Sequence, residues 1–316
     1  MPPAEAADTA LLQDLAGFQA AVLAWFDVER RDLPFRRTRD PYLVLVSEAM
    51  AQQTQIGRVA PAWERFVARF PTVGALAAAR LDDVLRAWAG LGYNRRAVSL
   101  HRAARLLVTE HGGRIPDDPS VLETLPGVGP YTARAVAAIA FGRPVAAVDT
   151  NVRRVLSRVI GVVGAEAGFV GAVADAAVPA GRSADWTPAL MDLGSRHCRP
   201  RPRCDGCPAR PWCATGSGGE VRQDPVGVRR SPAPRGSTSF PSTTRWLRGR
   251  IVAVLRETPG WHRFEGPLGV HDRRALTAAL VGLARDGIVE VDADEPLRAR
   301  LASGEAAPQR SPSPPR

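Results

Sequence analysis

From Leu125 to Asn151 the chain reads LPGVGPYTARAVAAIAFGRPVAAVDTN, a stretch that few folds can accommodate. Gly127 and Gly129 flank Val128 in what reads as a turn too tight for side chains, the kind that brings backbone N–H groups close to an anion. Pro130 stands where a helix would begin and Gly142 where it would stop, the usual asymmetry of these two residues. Between them Val136, Ala137, Ala140 and Phe141 predict a small-residue apolar face. A short apolar, strand-like piece follows. Asp149-Thr150-Asn151 then opens a second helix, with Val152, Val155, Leu156 and Val159 at i, i+3, i+4 and i+7. The stretch therefore supplies an anion-gripping hairpin at a helix N-terminus and a carboxylate one helix further on.

The rest of the first two-thirds of the chain repeats helical periods. Residues 11–26 predict an amphipathic helix, and residues 33–42 a proline-punctuated loop. A long helical region starts at Val44 and ends at Pro71. Residues 81–89 and 94–110 give two more helices around Gly90-Leu91-Gly92-Tyr93, the second stopped by His111-Gly112-Gly113. Hardly any strand pattern occurs before residue 215, so the predicted fold there is all-α. From 216 to 242 the composition turns to Gly, Ser, Pro and Arg, a linker signature. Residues 221–250 carry seven arginines against one aspartate. Residues 243–301, with helices at 245–257 and 273–286 and a β-like run at 288–292, suit a small winged-helix-like α/β module. The tail, 302–316, reads as disordered.

A formal net charge of +10 points to a polyanionic partner, nucleic acid before membrane, because no basic amphipathic helix accompanies it. The opening MPPAEAADTA lacks the basic and apolar regions of a leader, and no run reaches transmembrane length, so the chain reads as cytoplasmic. All 42 basic residues other than histidine are arginine, and with no lysine the chain has no side-chain amine for a Schiff base. Four cysteines, Cys198, Cys204, Cys207 and Cys213, are spaced C-x5-C-x2-C-x5-C. Four thiolates in so short a segment form a local metal site more readily than a disulfide scaffold. Their spacing alone leaves tetrahedral zinc and a 4Fe–4S cluster equally open.

Ser47-Glu48-Ala49-Met50-Ala51-Gln52-Gln53-Thr54-Gln55 places consecutive polar side chains on a predicted helix, where a structural helix would space apolar ones. It is similar to the SEVMLQQTQ segment of MutY-type adenine DNA glycosylases, and residues 125–151 resemble the helix-hairpin-helix and Gly/Pro…Asp motif of the same superfamily. The resemblance spans about residues 10–215. It implies that Glu48 is the acid that protonates adenine and that Asp149 stabilises the sugar cation, with Asn151 helping to organise the site. It further implies that Gln53 and Tyr93 wedge into the duplex, that Gly127, Val128 and Gly129 grip its backbone, and that the cysteines hold a 4Fe–4S cluster. The relatives' first cysteine spacer is one residue longer. Position 131 separates subfamilies: endonuclease III-type relatives have a lysine in LPGVGRK, whereas Tyr131 stands here, matching a position near the sugar in MutY relatives. Phe35-Arg36 replaces Trp and a polar residue, and Ala51 a leucine, so Arg36 joins the base-binding candidates.

The implied partner is double-stranded DNA with an adenine mismatch, bound by a monomer. Two other readings remain open: a glycosylase for another mismatched base, against which Glu48 argues, and a non-catalytic DNA-binding module, which would need neither carboxylate. The Phe-Ser-His loop by which MutY relatives read 8-oxoguanine is missing, and residues 243–301 are too few and too helical for the domain that carries it. The C-terminal module is therefore expected to add sequence-independent phosphate affinity. Because no lysine is present, borohydride is expected to trap no covalent DNA complex once the N-terminal amine is blocked. A robust trapped band on a denaturing gel would contradict this.

Overall fold

The computed structural model describes residues 14–162, 166–216 and 239–304. Residues 11–13 of the predicted first helix, 217–238 of the predicted linker and 305–316 of the predicted tail lie outside the described residues. In chain order the helices are α1 (Leu15–Glu29), α2 (Pro41–Ala51), α3 (Ile56–Arg69), α4 (Val73–Ala78), α5 (Leu81–Ala87) and α6 (Arg95–His111). Then come α7 (Pro119–Leu122), α8 (Pro130–Phe141), α9 (Thr150–Val159), α10 (Ala167–Ala176) and α11 (Ser183–Arg196). A cysteine-bearing segment with a 3-10 turn at Arg210–Trp212 follows. The chain continues with α12 (Thr244–Glu257), β1 (His262–Arg263), α13 (Arg273–Arg285), β2 (Val289–Val291) and β3 (Arg298–Leu301). No helix among the described residues is long and apolar enough to cross a membrane.

Two compact units share these elements, and neither is continuous in sequence: of the described residues, one takes 14–48, 115–162 and 166–216, the other 49–114 and 239–304. The first unit is built on one apolar core in which Phe18, Val22 and Phe26 of α1 meet Val152, Val155, Leu156 and Val159 of α9 and Trp186, Leu190 and Leu193 of α11. The predicted i, i+3, i+4, i+7 stripe of α9 is its buried face. Phe18 and Trp186 pack edge to face with centroids 5.7 Å apart, a geometry favoured by the aromatic quadrupole. On α8 the buried side is Thr132, Ala133 and Ala135 to Ala138, so Val136 and Ala137 face inward as expected, but Phe141 is 36% exposed. The small residues of this helix let it pack closely along its whole inner side, leaving the larger Phe141 at the rim.

Residues 145–148 form no strand. Their polar groups are satisfied by side chains instead: Ala146 N donates to Asp175 Oδ1 (2.9 Å), Ala147 N to Thr187 Oγ1 (3.1 Å), and Arg134 Nε to Ala146 O (2.7 Å). The long helix predicted from 44 to 70 is also interrupted. Gln52 to Gln55 lie in a turn between α2 and α3, and Gln53 takes φ +53°, outside the helical region. A run of uncharged polar residues offers a helix no face to bury, so tertiary packing does not carry the helix through it.

In the second unit the C-terminal residues form two helices and a three-stranded antiparallel sheet in the order β1-β3-β2, with Val289 opposite Leu301 and His262 opposite Ala299. The sequence showed only β2. β1 is two residues long, and β3 alternates buried Ala299 and Leu301 with Arg298 and Arg300, which offers no apolar run to recognise. Ala302 to Gly304, assigned by composition to the tail, are held: Ala302 N donates to Ile288 O (3.1 Å), Ser303 N to Glu290 Oε1 (2.8 Å), and Leu81 N to Ser303 O (3.2 Å). With Arg256 Nε on Leu85 O (2.9 Å) and Arg105 on Gly304 O (3.3 Å), the C-terminal residues complete the unit that begins at residue 49.

Candidate active site

The start of α9 positions the second predicted carboxylate. Asp149 is the N-cap in extended conformation, and its Oδ1 accepts from the amides of Asn151 (2.8 Å) and Val152 (2.7 Å). Its Oδ2 accepts from Asn151 Nδ2 (2.8 Å). Asn151 is held in turn by Arg154, whose Nη2 donates to Asn151 Oδ1 (2.8 Å) and to Gly194 O (3.0 Å). Gly194 is a glycine for a local reason: a Cβ there would lie 2.8 Å from Asn151 Cβ. The predicted partnership of Asp149 and Asn151 is thus a direct hydrogen bond, and it relies on α11 approaching α9 without a side chain between them.

Glu48 lies on α2, and three of the other candidates act on it. Burial pushes its carboxyl up to about 7, against the pull of a Tyr131 hydrogen bond and the Arg36 guanidinium, while the Asp149 charge pushes the same way as burial. Tyr131, on the first turn of α8, is raised well above the phenol range by burial, then by Glu48 and Asp149. Its hydroxyl also lies 3.5 Å from Met191 Sδ. Glu48, Tyr131, Asp149 and Arg36 therefore form one electrostatic group.

Arg36 is anchored by a residue the sequence did not single out. Asp192, with a fully buried side chain, accepts from Arg36 Nη1 (2.6 Å) and Nη2 (3.0 Å) and from Arg31 Nε (2.7 Å). Burial would raise the Asp192 carboxyl, yet the two arginines outweigh it and hold it below its ordinary value. Asp192 sits inside an otherwise apolar helical run, ALMDLG, and a buried carboxylate in such a run needs cationic partners. That was the available signal. The arginine-rich stretch at 30–39 supplies them.

In the hairpin, Val128 N donates to Leu125 O (3.1 Å), so this amide closes the turn. Gly127, at φ +80°, needs to be glycine. Gly129 does not: its φ is −95° and a Cβ would meet nothing within 4 Å. The turn is not too tight for a side chain at 129. The space in front of the α8 N-terminus is open, as an external group approaching that backbone would require.

Gln53 and Tyr93 belong to the second unit. Among the described residues they are the two non-glycine positions with positive φ, +53° and +44°. Both turns hang on Arg96, whose Nη1 donates to Ala49 O (2.9 Å), Met50 O (2.8 Å) and Gln52 O (2.5 Å). Its Nη2 reaches Thr54 Oγ1 (3.0 Å) and Gly92 O (3.3 Å). Left-handed conformations in non-glycine residues persist only where the surroundings over-determine them, and they cluster at functional sites.

The cysteine segment is pinned to the far end of α9. Arg154 Nε donates to Cys198 O (2.6 Å), and Arg158 donates to Arg199 O (2.6 Å) and Pro200 O (3.1 Å). Trp212 Nε1 donates to Asp14 Oδ2 (3.0 Å) beside Phe18. Burial pushes the Cys207 thiol up to about 11, and the neighbouring Cys198, Cys213 and Cys204 act in the same direction. Among the described residues no three His, Cys, Asp or Glu side chains are placed to hold a single metal ion.

Residues 46–167 match the family model of the HhH-GPD superfamily base excision DNA repair protein. The adenine DNA glycosylase of Mycobacterium tuberculosis is 43% identical over 243 residues, covering 74% of this chain and 77% of the relative. That of Mycolicibacterium smegmatis is 39% identical over 280 residues, 86% and 92% of the two chains. Among solved structures, a thermostable thymine-DNA glycosylase superposes with a TM-score of 0.61 at 30% identity, over 66% of this chain and 99% of that one. The chain belongs to the MutY-type adenine DNA glycosylases of the endonuclease III superfamily.

Within this family frame the first unit holds Arg36, Glu48, Tyr131, Asp149, Asn151, the hairpin and the cysteines, and the second holds Gln53 and Tyr93. Sequence reasoning missed Arg31, Asp192, Gly194 and Arg96, which hold candidate residues or their partners in place. Replacing Gly194 with alanine should push α11 against Asn151. The expected cost is about 1–3 kcal/mol, the usual range for inserting a methyl into a closed contact. It should be read as a lowered denaturation midpoint together with slower single-turnover base excision.

Proposed function

We propose that this protein is a base-excision repair glycosylase that hydrolyses the N-glycosidic bond of adenine mispaired with 8-oxoguanine or guanine in double-stranded DNA, as a monomer. The observation that carries this reading is the convergence of Glu48, Tyr131, Arg36 and Asp149 on one group, with Glu48 titrating near neutrality. Adenine is a poor leaving group until a ring nitrogen is protonated. An acid matched to neutral pH supplies that proton, and the glycosidic electron pair then leaves with the base. The Asp149 carboxylate, fixed by its three donors, faces the positive charge left on the sugar. Water adds at the anomeric carbon, and the proton it releases restores Glu48. Tyr131 and Arg36 position the Glu48 carboxyl; Asp192 positions Arg36.

The step ends at the abasic site. With Tyr131 in the place of the relatives' lysine and no lysine elsewhere, the chain has no side-chain amine for a Schiff-base lyase step. Gln53 and Tyr93 fill the gap left by the flipped nucleotide, offsetting lost stacking. Gly127, Val128 and Gly129 take a phosphate at the α8 N-terminus. Four cysteines within one short segment, Cys198, Cys204, Cys207 and Cys213, would hold a 4Fe–4S cluster as four thiolates, as the family resemblance implies. When bound, such a cluster would cross-link the segment that Arg154 and Arg158 pin to α9.

Glu48→Gln should retain mismatch binding and lose excision by about 10²–10⁴-fold, the worth of general acid catalysis. Single-turnover rates near wild type would remove Glu48 from the acid role. The pH dependence follows from the raised carboxyl. Below about 7 Glu48 holds its proton in the folded enzyme, and above it the acid is lost, so the wild-type excision rate should fall as pH rises through about 7. The same raised value means the folded state binds this proton more tightly than the unfolded one. Its contribution to stability is therefore complete below the ordinary carboxyl range and lost as pH rises through about 7. Glu48→Gln should accordingly melt no lower than wild type at pH 8. Protein prepared without oxygen should carry about four iron atoms per chain, the content of a 4Fe–4S cluster. Zinc in their place, measured by elemental analysis, would overturn the cluster.

A further inference from the structure

Tyr93 is 43% exposed and its backbone is left-handed, a conformation that costs free energy unless neighbours hold it. Arg96 from below the turn is one such neighbour, its guanidinium 5.5 Å from the ring centroid. The others come from the C-terminal residues. Arg245, in the first turn of α12, places its guanidinium 4.7 Å from the Tyr93 ring centroid. Arg256, near the end of the same helix, donates from Nη2 to Asn94 Oδ1 (2.8 Å) and from Nε to Leu85 O (2.9 Å), and its own carbonyl accepts from Arg86. Arg245 and Arg256 are eleven residues apart, about three helical turns, so both project from one face of α12. The residues they reach, Tyr93 and Asn94, are consecutive. Arg256 is half-buried among these groups, which pulls its guanidinium down to about 10, whereas Arg245 is exposed.

We propose that α12 is the support of the Tyr93 wedge: Arg245 against the ring and Arg256 on Asn94 are positioning residues that hold Tyr93 ready to enter the duplex. The C-terminal module then serves mismatch engagement through Tyr93, in addition to any general affinity for phosphate. The inference rests on the reading of Tyr93 as a wedge.

A double-mutant cycle on the full-length protein tests both. Wild type, Arg245→Ala, Tyr93→Ala and the double variant are titrated against a duplex carrying an uncleavable 2′-fluoro-deoxyadenosine opposite 8-oxoguanine, and against a fully paired duplex. A 2-aminopurine placed beside the lesion reports unstacking by its fluorescence. Arg245→Ala should weaken lesion binding about threefold to tenfold, the range of a stacked cation, and lower the fluorescence rise, with paired-duplex binding unchanged. In the Tyr93→Ala background it should cost nothing more. An equal loss in both backgrounds and on both duplexes would make Arg245 an independent phosphate contact and overturn the proposal. Unchanged binding and fluorescence in Arg245→Ala, with Tyr93→Ala impaired, would also overturn it while sparing the wedge. Tyr93→Ala behaving as wild type would remove the wedge and the proposal together. Arg245 is exposed, so its replacement leaves the fold intact, checked by an unchanged melting temperature.

Discussion

The candidate active site depends on how one helix begins. Asp149 caps α9 by accepting two backbone amides, and its second oxygen accepts from Asn151. Any shift of that helix along its axis carries the carboxylate away from Glu48 and Tyr131. The same helix is fixed from three sides. Gly194 lets α11 approach Asn151 directly, Arg134 and Thr187 hold the extended segment that delivers Asp149, and Arg154 and Arg158 fasten the opposite end to the cysteine segment. The cysteine segment thereby bears on the candidate site through geometry: it helps to set where α9 ends, and so where it starts.

Glu48 and Asp149 stand in one electrostatic group yet in different surroundings. Asp149 has donors arrayed around it. Glu48 has burial and a neighbouring carboxylate, countered by one hydroxyl and one guanidinium, and it settles near neutrality. That guanidinium, Arg36, is not free to approach more closely, because Asp192 holds it in a two-pronged grip shared with Arg31. An unrestrained Arg36 next to Glu48 would drive the carboxyl toward its ionised form, and an acid would become a spectator anion.

Much of this was legible in the residues. The α8 and α9 boundaries, the buried stripe of α9, the N-cap position of Asp149 and the grouping of the four cysteines follow from spacing and end signals that are local in sequence. What stayed hidden is what depends on contacts between distant segments. Gly194 and Arg96 carry no local signature, since one is a helical glycine and the other an arginine among arginines. The turn at Gln52–Gln55 was hidden because its polar residues suit a solvated helix equally well, and the decision lies with Arg96, which captures the carbonyls of the preceding turn. β1 and β3 were invisible because pairing between strands, not an apolar run, defines them.

The interleaving of the two units has a consequence for how the chain is made. Residues 49–114 share their unit with 239–304, while the described residues before 49 share theirs with 115–216. A ribosome thus releases the Tyr93 turn long before α12, its neighbour in the finished unit, has been synthesised. Closing that separation carries a loop entropy that grows only slowly with length, but it cannot begin until α12 has emerged. During elongation the early half of the second unit must wait with the face destined for α12 uncovered until α12 has been made.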